Sequence, residues 1–251
     1  MSWLGVAAAA SVALAEPGES VPELLARGDA AARVQRHKDA LALFQAAERI
    51  APQKAEVLVR VSEQASALID ETHPESAAHG LAKKSLDAAQ RAVAAEPGNA
   101  RAHLSLAIAH GQLTDFVGSR EKLESSKALH AAVVRALELD PGNDRAWHVL
   151  GRWHFGFARI NPVLASMARI VYGRLPAASL SEARRCLQKA CQLAPQKVLH
   201  HAELARFYTA TDQSELARAE WKIVTELPAL TKDDAEDKSA AQRALANPLN
   251  R

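Results

Sequence analysis

Two turns of nearly the same sequence, Glu96-Pro-Gly-Asn99 and Asp140-Pro-Gly-Asn143, constrain this chain more than any other feature. Proline lacks an amide donor and cannot continue a helix, and Asn is a strong N-cap, so each turn ends one helix and starts the next. Their near-identity points to duplication of one unit. The two prolines belong to a series, Pro52, Pro97, Pro141, Pro195 and Pro228, each closing a stretch with apolar residues at helical spacing. The alternation of Val, Ile and Thr that marks strands is missing. A fold of tandem helical hairpins follows.

The sharpest copy of the unit runs from Trp147 to His154 and reads W-x2-L-G-x2-H. Trp147, Leu150, Gly151 and His154 fall on one helical face. The spacing is that of the first helix of a tetratricopeptide unit, with His154 where the consensus carries Tyr. Gly151 lets the second helix approach closely, and Trp147 and Leu150 fill the space beside it. That partner helix carries Ala183-x3-Leu187-x2-Ala190 and ends at Pro195. A unit without insertion stands earlier, with Leu24, Gly28 and Ala31 on one helix and Ala40-x3-Phe44-x2-Ala47 on the next. After it, Val57, Leu58, Val61, Ala65 and Leu68 mark a helix that Thr72-His73-Pro74 and Gly80 interrupt, and a second helix is expected from Leu81 to Ala95. The next unit begins at Ala100, with His103, Leu106, Ala107 and His110 in the consensus positions and a second helix expected from about Ser119 to Leu139. The last has Leu204, Ala205 and Tyr208, then Ala217-x3-Trp221. A polar stretch with Thr231, Asp233, Asp234, Glu236 and Asp237 opens a final helix to about Ala246, read as a solvated cap whose early acids suit the helix dipole.

Pro141 and Pro195 are 54 residues apart, against a repeat of about 34. The surplus falls at residues 159–178. There Ile160, Val163, Leu164, Met167, Ile170 and Val171 recur at i, i+3, i+4, i+7, the mark of an inserted amphipathic helix. Two readings of its apolar stripe stand: packing across the array, or a lid over a lipid tail or a membrane surface. Residues 21–247 form the repeat domain. Residues 1–20 precede it as an apolar segment, in which Trp3 to Ala15 are all apolar or small, and Pro17-Gly18 marks the break. That segment reads as a frayed first helix, a weak anchor or a targeting sequence.

A net charge of +2 argues against a strongly electrostatic nucleic-acid binder. The charge is uneven, however. Arg159, Arg169, Arg174, Arg184, Arg185 and Lys189 face a single acid, Glu182, giving this stretch +5 and leaving −3 for the rest. The excess is a candidate contact for an acidic partner, with a plain solvated face as the alternative; Lys122 and Lys127 read the same way. Cys186 and Cys191 lie five apart on one expected helix and read as packing residues rather than a disulfide framework. No nucleophile elbow, zinc-protease or phosphate-loop spacing occurs, so no catalytic residue and no cofactor is expected. His103 and His110 are seven apart, His148 and His154 six apart, and His200 and His201 adjacent. None of these spacings builds a helix-borne zinc site, so no metal is expected. Trp147, Trp153 and Trp221 read as repeat core rather than a ligand pocket. Arg152 between the first two is expected to pair with an acid or face a groove.

Three stretches carry a more specific likeness. Ala136-Leu-Glu-Leu-Asp-Pro-Gly-Asn143 with Trp147-His-Val-Leu-Gly-Arg-Trp153, then Met167-Ala-Arg-Ile-Val-Tyr-Gly-Arg-Leu-Pro176, then Leu227-Pro-Ala-Leu-Thr-Lys-Asp-Asp234 resemble the regulator of microtubule dynamics family, over roughly Pro22 to Leu245. The resemblance implies an all-helical, tetratricopeptide-like right-handed α-solenoid of about five hairpins, without catalysis. It implies association with microtubules and spindle poles, with some members held on mitochondria or the endoplasmic reticulum. One branch of the family carries a long membrane-anchored N-terminal region, works at organelle contacts and binds phospholipid in its helical domain. The short apolar start here is unlike that region, so the shorter, largely soluble type is expected. Three functions follow as expectations. The first is an interaction protein whose Arg159–Lys189 excess meets the acidic tails of tubulin, or another spindle or axonemal partner. The second is a phospholipid-binding module closed by the Ile160–Val171 helix. The third is an adaptor that grasps a C-terminal carboxylate, whose basic ring the sequence does not locate.

Overall fold

The computed structural model describes residues 16, 18–160 and 177–246, and among these every regular element is a helix. The chain divides into two compact units between Pro97 and Gly98.

The first unit holds two hairpins, α1 (Val21–Arg33) with α2 (His37–Ile50) and α3 (Ala55–Ala67) with α4 (Glu75–Ala95). Helix α1 starts where Ser20 and Glu23 form a capping box, the Ser20 amide donating to the Glu23 carboxylate at 2.8 Å. Gly28 sits flat against the Phe44 ring, where any Cβ would collide with it. Phe44 is wholly buried, which stabilises the hairpin by roughly 1.5–3 kcal/mol. Polar ties join one hairpin to the next. Arg60 on α3 donates two parallel bonds to Asp29 on α1, at 2.8 and 2.9 Å. Arg91 on α4 donates to Glu48 and to the Pro52 carbonyl, both at 2.6 Å. The hydroxyls of Ser62, Ser66 and Ser85 are buried and satisfy one another at 3.0 and 2.8 Å.

Helix α4 corrects the expectation that Gly80 breaks the chain. It starts at Glu75, directly after Pro74, and runs through Gly80 without interruption. Ala78 and Ala82 on either side are buried. Their packing, with Glu75 in the first turn, outweighs the cost of about 1 kcal/mol for a mid-helix glycine.

The second unit holds three hairpins: α5 (Ala100–Leu113) with α6 (Ser119–Leu139), α7 (Asp144–Ala158) with α8 (Leu180–Leu193), and α9 (Val198–Ala210) with α10 (Ser214–Glu226). A 3-10 turn, Thr114–Phe116, follows α5. Helix α11 (Lys232–Ala246) packs on both α9 and α10. The two repeated turns act alike. Asn99 accepts from the Ala102 amide at 3.1 Å, and Asn143 accepts from the Ala146 amide at 3.0 Å. Ser179 caps α8 through the Glu182 amide at 3.2 Å. Gly151 makes the closest approach of the unit, since a Cβ there would lie 2.8 Å from Leu187 Cγ and 3.1 Å from the Leu187 amide nitrogen. Leu104, Val133, Leu137, Leu150 and Cys186 fill one core, and Leu187, Phe207, Tyr208, Trp221 and Val224 fill a second. Helix α11 is mostly solvated, as a terminal cap requires, yet it buries Asp237 and Ala241.

Candidate functional site

The first helices of the last two hairpins face each other through a ladder of polar pairs. Asp144, His148 and Arg152 recur every four residues on α7 and so share a face. Opposite them stand Lys197, the N-cap of α9, then His200, Glu203 and Arg206. Asp144 accepts from Lys197 Nζ and from His200 Nε2, each at 2.6 Å. His200 Nδ1 lies 3.2 Å from His148 Nδ1. With its Nε2–H donating a hydrogen bond to the carboxylate, neutral His200 presents an Nδ1 lone pair, which accepts from the His148 Nδ1–H. Arg152 reaches Glu203 at 3.7 Å, Glu203 is 3.6 Å from Arg206, and Arg206 donates in turn to Asp237 on α11.

Electrostatics hold this ladder in defined charge states. Burial pushes His148 well below the usual imidazole range, and His200 and the nearby arginines push the same way. Burial also lowers His200, against the opposing pull of Asp144. For Asp144, burial acts upward, but the bonds from Lys197 and His200 prevail and lower it. The pairs are thus neutral imidazoles beside a charged carboxylate, satisfied from both sides. They tie hairpin to hairpin.

Two further groups lie beside the ladder. His130, Trp153, His154 and Phe157 form an aromatic cluster on α6 and α7, with His130 and Trp153 centroids 4.2 Å apart and Trp153 bonded to the Ser126 carbonyl at 3.0 Å. Across α8, α9 and α10, Cys191, His201 and Glu220 bring a sulfur, a ring nitrogen and a carboxylate oxygen within 4.8 Å of one another. No spacing signal marked this second group, because its members stand ten and nineteen residues apart on three different helices.

A model of the family described as Regulator of microtubule dynamics protein 1-3 matches residues 24–249. The chain belongs to the regulator of microtubule dynamics family. It is 27% identical over 152 residues to regulator of microtubule dynamics protein 3 of Xenopus laevis, covering 59% of this chain and 32% of that protein. It is 24% identical over 159 residues to the human protein 2, covering 63% and 39%. With the mouse protein 1 it shares 25% over 167 residues, covering 66% and 54%. The match thus spans about a third to half of these relatives' length. Among solved structures, a tetratricopeptide protein of Thermus thermophilus superposes with a TM-score of 0.67 at 17% identity, covering 91% of this chain and all of that one. That likeness establishes the tetratricopeptide-like fold.

As a member of this family, the chain carries its positive excess entirely in the second unit. From Gly98 onward there are 21 basic and 16 acidic residues, a net of +5, while residues 16–97 sum to −3. Of the six basic candidates, Arg184 and Arg185 are exposed on α8, and Lys189 is half-buried there. No carboxylate among the described residues pairs with Arg184. Arg185 pairs with Glu182 at 2.8 Å and lies over the Trp147 ring. Arg159, just past α7, lies 5.0 Å over the Phe155 ring. Arg169 and Arg174 lie outside the described residues, as do Val163, Leu164, Met167, Ile170 and Val171 of the expected lid. Ile160, the one described member of that stripe, is exposed. Residues 1–15 are likewise outside the description. Among the described residues no helix is long and apolar enough to cross a membrane.

Of the expected repeat-core residues, Leu24, Gly28, Phe44, Leu150, Gly151, His154, Leu187, Tyr208 and Trp221 are buried. Trp147 is only half-buried. Its indole N–H reaches the Pro141 carbonyl at 2.9 Å and one face of its ring is covered by Arg185, so it sits at the edge of the core. Trp153 and Trp221 are packed into the core. Arg152 pairs with Glu203 at 3.7 Å while its side chain stays exposed.

Proposed function

We propose that this chain is a non-catalytic repeat protein that binds microtubules through the basic surface of its second unit. The observation that carries the reading is the confinement of the whole positive excess to that unit, with exposed arginines on α8 that a single glutamate only partly offsets. A surface of this kind steers and holds an acidic polymer, and tubulin presents acidic tails. The family name of its relatives points to the same polymer. Helical hairpins supply a frame on which the arginines are spaced, and the polar ladder between α7 and α9, with His148 and His200 buried at its centre, ties that frame together.

The experiment is co-sedimentation of the full chain with polymerised tubulin at increasing salt. Binding through screened surface charges falls as the Debye length shrinks from about 10 Å at 0.1 M to about 3 Å at 1 M. The double substitution Arg184→Glu, Lys189→Glu removes most of the pelleted fraction while leaving the helical content intact. Pelleting unchanged by both salt and substitution overturns the proposal.

A further inference from the structure

We infer that Cys191, His201 and Glu220 form a binding site for one divalent metal ion of the zinc type. Three donors of different chemistry, a thiol sulfur, an imidazole nitrogen and a carboxylate oxygen, converge within 4.8 Å from three separate helices, α8, α9 and α10. Thiolate, imidazole and carboxylate together are the ligand set that zinc takes.

The surroundings fit that use. His201 Nε2 donates to the Pro195 carbonyl at 3.0 Å, which fixes the ring and turns Nδ1 toward Glu220, 2.6 Å away. A backbone carbonyl orienting the far nitrogen is the usual support of a metal-bound histidine. Bond lengths of about 2.0–2.3 Å to zinc set tetrahedral donors roughly 3.3–3.6 Å apart. Binding therefore opens the 2.6 Å His201–Glu220 contact and draws the three donors, all within 4.8 Å of one another, to that spacing. Cys191 and His201 are 9% and 6% exposed. The Glu220 side chain keeps 18% exposure, so metal and one water enter from its side. A thiolate and a carboxylate neutralise a dication, so the occupied site carries no net buried charge. Binding expels the thiol proton and the proton held between His201 and Glu220.

Cys186 is the built-in control. It lies five residues earlier on the same helix but belongs to the other core, among Leu104, Val133 and Leu150.

The test is titration of the reduced full chain with cobalt(II), whose coordination by a thiolate gives a charge-transfer band in the near ultraviolet. The expected result is one equivalent bound with that band, displaced by zinc. Cys186→Ala keeps the band and Cys191→Ser loses it. Glu220→Gln, which replaces a charged ligand with a neutral amide, weakens binding by at least the roughly 10- to 100-fold that loss of a mere supporting group costs. Circular dichroism reports whether each variant folds. Should Cys191→Ser fail to fold, the wild-type titration and Glu220→Gln decide the matter. Absence of a thiolate band in the wild type overturns the inference and leaves a buried histidine–glutamate ion pair. A band that persists in folded Cys191→Ser, or an affinity unchanged in Glu220→Gln, overturns it as well.

Discussion

The guanidinium of Arg185, on α8, lies 5.2 Å over the ring of Trp147, on α7, while the same group pairs with Glu182. Arg184, its neighbour in sequence, has no ion-pair partner among the described residues. The two arginines therefore differ in what their loss costs. An exposed cation–π contact contributes about 0.5–1 kcal/mol, and an exposed ion pair about 0.2–1 kcal/mol. Arg185→Glu is expected to lower the unfolding midpoint by a few degrees and to weaken microtubule binding. Arg184→Glu weakens binding and leaves the midpoint unchanged. Thermal unfolding beside a pelleting assay separates them.

Two glycines in helices behave oppositely. At Gly151 a Cβ meets both the side chain and the backbone nitrogen of Leu187, and the backbone cannot give way. Gly151→Ala should cost about 1–3 kcal/mol, the usual penalty of overpacking. At Gly80 a Cβ meets nothing within 4 Å inside a continuous helix. Gly80→Ala should stabilise by about 0.5–1 kcal/mol. Urea unfolding measures both, and a gain at Gly151 would mean that α7 and α8 are not in close contact there.

Several histidines of the second unit make its stability fall with acid. Burial lowers His110, His130 and His154, and lowers His148 furthest. The unfolded chain takes up protons near the ordinary value of 6.5, whereas the folded unit resists until a lower pH. Between those points the unfolded state holds more protons, so stability is complete above about pH 6.5 and is lost as pH falls through the folded values. His201, pushed up to about 10 by its bonds to Cys191 and Glu220, acts in the opposite sense and gains stability as pH falls toward 6.5. In a His201→Asn background, which removes that contribution, the urea midpoint should drop between pH 7.5 and 5.5 with the slope unchanged. A midpoint that is flat or rises over this range contradicts the assignment of these histidines as neutral.

Much of this fold was legible in the sequence, for identifiable reasons. Asn99 and Asn143 announced helix starts because capping depends on local bonds, and Gly28 and Gly151 announced close approach because the repeat needs a small residue there. The break expected at Gly80 failed because a weak local preference met strong packing on either side. The ladder from Asp144 to Asp237 and the grouping of Cys191, His201 and Glu220 were not legible. Each joins residues on different helices, and their meeting depends on how successive hairpins stack. That stacking leaves a trace in the repeat period but none in the spacing of the polar residues themselves.

The most direct measurement of the central claim compares binding of the full chain to intact microtubules and to microtubules whose acidic tails have been removed by limited proteolysis. A contact made by the α8 arginines with those tails predicts at least a 10-fold loss of affinity on tail removal, about 1.4 kcal/mol. It also predicts that Arg184→Glu has little further effect once the tails are gone. Equal affinity for the two polymers would contradict it.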